Sequence, residues 1–146
     1  MAAVITTRIM EDGPRNAVLL INGTEAAGSA PGPNQVIILP TQLGFVDITR
    51  QQRCASLRVD TIEWDIQAEA SYQVNLFWNA TADVQFYSCI GRANKYFKNF
   101  GGLYQQAGIA GSTGGISLNT ANPAGTGPTF EFTLVLYLIK NGLNPA

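Results

Sequence analysis

Glu63 and Asp65 are the two side chains whose types and spacing come closest to a catalytic arrangement in this sequence. In an extended strand residues i and i+2 share a face, so both carboxyls stand on one side with their Cα atoms roughly 6.5 to 7 Å apart. Inverting glycosidases hold their acid and base near that separation. Any half-exposed strand produces the same alternation, however. An acidic strip facing solvent, or a neighbour's lysine or arginine, is the simpler reading. The chain contains no histidine, which removes the commonest general base and with it the Ser/His/Asp, Cys/His and usual zinc-hydrolase arrangements.

Other clusters carry weaker chemistry. The segment from Gly91 to Phe100 interleaves Arg92, Lys95 and Lys98 with Tyr96, Phe97 and Phe100, the mixture that single-strand nucleic-acid grooves use for phosphates and bases. Nine basic against ten acidic residues leave a net charge of −1, which gives no pull toward phosphate backbones; the aromatics serve equally to seat a loop, and no nucleic-acid partner is expected. The glycine run Gly108 to Gly115 lacks the lysine of a phosphate loop. Arg50, Arg53 and Arg58 suit an anion or, more simply, salt bridges to another chain. Cys54 and Cys89 have no metal-ligand spacing. They read as two reduced, buried thiols, with a disulfide or a reactive thiol as the alternative. No cofactor or metal is expected.

The elements that must position these residues are strands. Leu57 and Val59, then Ile62, Trp64 and Ile66, alternate with polar residues, and the phase slips by one at Asp60-Thr61. A β-bulge there returns all five to one face. Tyr72, Val74, Leu76 and Trp78 form a second series, expected to pair with the first as a hairpin, and Val84 to Ile90 a third, completing a meander. Both tryptophans fall on apolar faces and read as core. Val18 to Ile21 is a strand ended by Asn22-Gly23, a strong turn signal. Residues 26–34 read as a loop, Gln35 to Leu39 as a short strand stopped by Pro40, and Thr41 to Arg53 fits either an irregular strand or a turn of helix. Residues 101–127 hold eight of the fifteen glycines and no charge. They predict a long loop with one short strand, Gly115 to Leu118. In the last strand, Phe130 to Lys140, Phe132, Leu134, Leu136 and Leu138 line one face and Val135, Tyr137 and Ile139 the other. A strand apolar on both faces is covered on both, by a loop of its own chain or by a partner.

The fold class that follows is all-β: an antiparallel, jelly-roll-like β-sandwich of about eight strands, with residues 1–16 as an N-terminal arm, residues 17–146 as a single domain, and a long Gly-rich loop. Only 13% of the 146 residues are charged while 46% are apolar, against about 25% charged in an ordinary soluble domain. Interface cores are depleted of charge, so part of this surface is expected to meet another protein. The apolar stretches are far short of the ~20 residues that span a bilayer, and the first residues lack the basic and apolar regions of a secretory signal. Folding in the cytosol, without a membrane partner, is the expectation.

Short blocks in a fixed order along the chain carry a resemblance. They are Thr7 to Asn16, Leu57 to Trp64, Trp78-Asn79-Ala80-Thr81, Gly91-Arg92, Phe100-Gly101-Gly102-Leu103 leading to Gly108, and the long apolar strand ending in Lys140. In these the sequence resembles a group of small virion structural proteins of tailed bacteriophages. It departs from them in the Ala/Gly/Pro-rich residues 26–34 and the polar residues 50–54. The resemblance implies a place in the particle, with synthesis in the host bacterial cytoplasm, and no catalytic residue.

The leading expectation is therefore a non-enzymatic capsid cement or decoration protein. It would bind the major capsid protein across subunit joints as a homo-oligomer, with a trimer favoured. Expected interface residues are Ile5, Arg8, Ile9 and Arg15 of the arm, Arg50 and Arg53, and the back of the last strand at Val135, Tyr137 and Ile139. A neck or tail ring protein of the virion is the first alternative. A carbohydrate-binding or glycan-cleaving β-sandwich using Glu63 and Asp65 is the second.

Overall fold

Period-two alternation dominates this chain, and the computed structural model resolves it into strands at nearly every place it occurs. The structure describes residues 4–25, 33–67, 72–105, 108–121 and 130–142. Within them lie β1 (Val4–Asp12), β2 (Asn16–Glu25), β3 (Gln35–Ile38), β4 (Ser56–Gln67), β5 (Gln73–Trp78), β6 (Val84–Cys89), β7 (Arg92–Tyr96), β8 (Ile116–Ala121) and β9 (Phe130–Asn141), with two single 3-10 turns and no α-helix. One sheet has the order β1-β2-β9-β4-β7 and the other β3-β8-β5-β6, and every pairing is antiparallel. Apart from β1-β2 and β5-β6, each step along the chain crosses from one sheet to the other. The order β2-β9-β4-β7 facing β3-β8-β5-β6 is the double Greek key of a jelly roll, with β1 added at an edge.

The core fills the gap between the sheets. From the larger come Leu19 and Ile21, Leu134, Leu136 and Leu138, and Leu57, Val59, Ile62 and Trp64; from the smaller come Val74, Leu76, Trp78, Ile116 and Leu118, all buried. The β4 register slips between Val59 and Thr61 against β9, and the five apolar residues on either side of this bulge are all buried, as the phase slip predicts. Trp78 stacks on Phe86 and Trp64 meets Tyr87 edge-on, so both indoles are core.

Several local expectations are corrected. β4 and β5 are not a hairpin: β4 pairs with β7 and β9, and β5 with β6 and β8. Two alternating strands bury their apolar faces equally well side by side or facing across a sandwich, so the pattern alone does not choose. Asn22-Gly23 is not a turn. Both residues lie inside β2 opposite Thr133 and Phe132, and a Cβ at Gly23 would overlap the Phe132 ring. The expected arm is β1 from residue 4 to 12, hydrogen-bonded to β2 as an edge strand. Of Thr41 to Arg53, only Thr41 and Gln42 belong to a turn of helix, the 3-10 turn Pro40–Gln42, and the rest is a loop closed by an Asp47–Gln52 bridge. The short strand expected at Gly115 to Leu118 is β8, Ile116–Ala121. The loop expected at residues 26–34 lies outside the described residues except for its end.

Two buried polar contacts fasten the sandwich. Glu25 accepts hydrogen bonds from the Tyr72 hydroxyl and from Thr120 Oγ1 (2.7 Å), linking β2 to the smaller sheet. Burial, with this carboxylate beside it, drives the Tyr72 phenol well above its ordinary range. Lys140 of β9 is buried and donates to Asp12 Oδ1 (2.5 Å) and to the carbonyls of Gly13 (2.6 Å) and Gly44 (3.1 Å).

Cys54 and Cys89 are free and buried, as expected. Burial pushes the Cys89 thiol up to about 12 from 9.0 and raises Cys54 as well. A thiol held neutral in the fold but free to ionise when unfolded adds stability that is complete below pH 9 and is lost as pH rises toward 12. Unfolding free energy should therefore fall above pH 9, with Cys89 contributing up to about 1.4 kcal/mol per pH unit. Denaturant titrations from pH 7 to 11 check this. Cys89→Ala should flatten the decline between pH 9 and 10, and an unchanged slope would assign the loss elsewhere.

Candidate functional site

The residues singled out in the sequence fall on two surfaces. The first is the outer face of the five-stranded sheet. Opposing residues share a face, so the pairings place Arg8, Leu20, Val135, Glu63 and Asn94 in one row across β1, β2, β9, β4 and β7. The next rows are Glu11, Val18, Tyr137, Thr61 and Tyr96 on one side, and Thr6, Asn22, Thr133, Asp65 and Arg92 on the other. Ile139 continues the apolar column between Asn16 and Arg58. The back of β9 is thus open: Tyr137 is 38% exposed, with Val135 and Ile139 half-buried among their neighbours. Val18 and Leu20 complete this apolar block. They escaped notice although alternation along β2 marks them as the outward residues of a predicted strand.

Glu63 and Asp65 do share this outer face. They line a shallow groove of about 650 Å³ with Arg92, Asn94, Thr133 and Val135. No hydrogen bond or ion pair reaches either carboxylate among the described residues. The indole beside them, Trp64, is 7% exposed and donates Nε1–H to the Ile90 carbonyl at 2.9 Å, so it offers no face on which a sugar ring could stack.

The second surface is one end of the sandwich. The antiparallel order brings the turn at 13–15 and the loop residues 39–55, 79–83, 97–105 and 108–115 together there. Backbone bonds tie them to one another and to the strands, including Thr81 N–H to Ala110 O (3.2 Å) between loops, Ala55 N–H to Asn141 O of β9 (3.1 Å) and Leu103 N–H to Val59 O of β4 (2.8 Å). Gly114 takes φ +76° where an added Cβ would meet the Ala55 carbonyl. Close backbone approach thus accounts for a glycine in this loop. At the centre of this end sits the Lys140 clamp, with Asp12 also accepting the Gly44 N–H at 2.8 Å.

The exposed rim of this end is apolar and basic. Phe100 is 86% and Ile48 74% exposed, and Tyr104 is exposed as well. Arg15 borders a second hollow with Asp47 and Ile48. The Arg50 side chain is 74% exposed, 3.9 Å from Asp47, whereas Arg53 is spent internally, donating to the Leu43 carbonyl (3.2 Å) and lying 4.5 Å from the centre of the Phe45 ring. Arg58 grips Asp60 through two bonds of 2.7 and 3.0 Å and reaches the Tyr104 hydroxyl at 3.2 Å. These partners hold its guanidinium still more firmly protonated than usual.

The expected interface set is therefore divided. Arg8, Val135, Tyr137 and Ile139 come together on the outer face, and Arg15 and Arg50 at the loop end. Ile5 packs against the core and Ile9, 41% exposed, lies on the opposite side of β1 from Arg8. Arg53 is turned inward. Ile48 and Tyr104 were missed, and Phe100, expected to seat a loop, is instead exposed, because exposure of a lone apolar residue in a loop leaves no periodic signal. The basic and aromatic residues of 91–100 are also separated: Arg92 and Tyr96 face outward, Lys95 points the other way opposite Ile62, and Phe97 packs on Tyr87. Among the described residues no group of three or more carboxylates or thiols is placed to hold a metal, and no helix is long and apolar enough to cross a membrane.

No protein-family model, curated protein or solved structure matches this chain.

Proposed function

We propose that this chain is a non-enzymatic structural protein of a tailed-phage virion, a cement protein that binds the assembled major capsid shell through the loop end of its jelly roll. The observation that carries the reading is the exposure of Phe100 and Ile48, on two different loops of the end that also carries Arg15 and Arg50. Aromatic anchors and arginine are the side chains enriched where proteins bind proteins, and the buried clamp braces the turn and the loop that carry Arg15, Ile48 and Arg50. The histidine-free composition and the resemblance of the ordered blocks to those of phage structural proteins support it, and jelly rolls recur in viral capsids. The fold also serves lectins, but both tryptophans are committed to the core.

A protein that binds only the assembled shell stabilises it by mass action, about 2.7 kcal/mol per site at a free concentration one hundred times Kd. Purified protein added to empty shells should co-sediment with them, and Phe100→Ser combined with Ile48→Ser should weaken binding at least tenfold while leaving the circular dichroism unchanged. Unaltered binding would remove the loop end from the interface. Copy number in purified virions tests the position: hundreds are expected of a shell component, whereas about a dozen would mean a symmetric neck or tail ring.

A further inference from the structure

We propose that the outer face of the five-stranded sheet is covered by the same face of a second copy, in a two-fold dimer whose axis runs along the strands between β2 and β9. This goes beyond the shell-binding reading and does not rest on it. Rotation about that axis lays β2 of one copy over β9 of the other and β1 over β4, and it preserves position along the strands. Leu20 then meets Val135, and Val18 meets Tyr137, from both copies, closing the apolar block.

The charges on this face fit the same operation. In the row Arg8, Leu20, Val135, Glu63, the arginine of one copy comes over the glutamate of the other, twice. Within one chain Arg8 and Glu63 stand three strands apart, about 14 Å, and neither has a hydrogen-bond or ion-pair partner among the described residues. Stacked sheets lie about 10 Å apart with strands within about 30° of each other, a gap that an arginine and a glutamate span together. The remaining acids meet neutral residues: Asp65 faces Thr6, Glu11 faces Thr61 and Glu131 faces Thr24. No like charges are opposed. Moving the axis onto β9 would instead set Glu63 over Leu20.

Four strands across and about 25 Å along them give ~500 Å² on each copy and ~1,000 Å² in all, near the lower limit for a specific interface. The pair is therefore a reversible dimer. A self-complementary face closes with two copies, which replaces the trimer expected from the sequence.

Sedimentation velocity across the micromolar range tests this without shells. The expected mass rises with concentration from 15.6 kDa toward twice that value. Arg8→Glu and Glu63→Arg should each weaken dimerisation at least tenfold, and the double exchange R8E/E63R should restore it, with circular dichroism confirming that each variant is folded. A monomer or trimer throughout, single variants that dimerise normally, or an exchange that fails to restore the dimer would each overturn the proposal. A monomeric result leaves the loop-end reading standing, and loss of shell binding by the loop-end variants leaves the dimer standing.

Discussion

Asp12→Ala should destabilise this protein by about 3–5 kcal/mol, the range for a buried ion pair that loses one partner. The Lys140 side chain is 1% exposed, and Asp12 supplies its only counter-charge among the described residues, at 2.5 Å. Without that carboxylate an ammonium sits in the interior facing two carbonyls. Lys140→Met should cost less, because Asp12 is 29% exposed and water can replace its lost partner, while the methionine fills the space of the lysine stem. Combining the two changes removes both charges and should recover much of the loss from Asp12→Ala alone. Denaturant midpoints of the three variants provide the check. If Asp12→Ala proved the mildest of them, the clamp would not be holding the β1-β2 turn, the 39–55 loop and β9 together.

Phe132→Ala should be comparably severe, about 3–5 kcal/mol for an aromatic side chain removed from a core. The ring is 2% exposed and lies over Gly23, its direct partner across β2 and β9. Gly23→Val alone should cost about 1–3 kcal/mol, since its side chain must displace the ring. In the double variant the valine enters the space that the ring vacated, so the combined loss should be smaller than the sum by 0.5–3 kcal/mol. Strict additivity in a double-mutant cycle would show that ring and glycine are not in contact.

This glycine also marks a limit of reading the chain residue by residue. Asn22-Gly23 is among the strongest hairpin signals in local sequence, yet glycine also answers a close approach from a neighbouring strand, and Phe132, the neighbour that demands it, lies far along the chain. The bulge at Asp60-Thr61 was legible because its cause and effect are both local: one inserted residue shifts the phase of five apolar side chains. Strand partners were not legible. β4 and β5 each present one apolar face, and the identity of the strand beside each is set by crossings that leave no periodic mark. β1 read as an arm because an edge strand with one polar face and a sparsely covered other face has little core signature.

For the surfaces the division is similar. That Val135, Tyr137 and Ile139 point away from the core followed from alternation within one strand. That Arg8, Val18 and Leu20 join them requires the register of three strands. The loop end depends on antiparallel order bringing four separate connections to one place, and Phe100 and Ile48 acquire meaning only from that gathering.

The position of β9 has a consequence in time. It follows every other described strand in sequence, yet it lies between β2 and β4, and its partners on β2 are more than a hundred residues earlier. Pairings so distant close slowly, because chain entropy is spent before contacts repay it. While the ribosome is still making the chain, β1-β2 and β4-β7 have no strand to join them, and the row from Arg8 to Glu63 does not exist. The face proposed to meet a second copy is therefore absent from a half-made molecule and is assembled by the same event that brings β9 between β2 and β4.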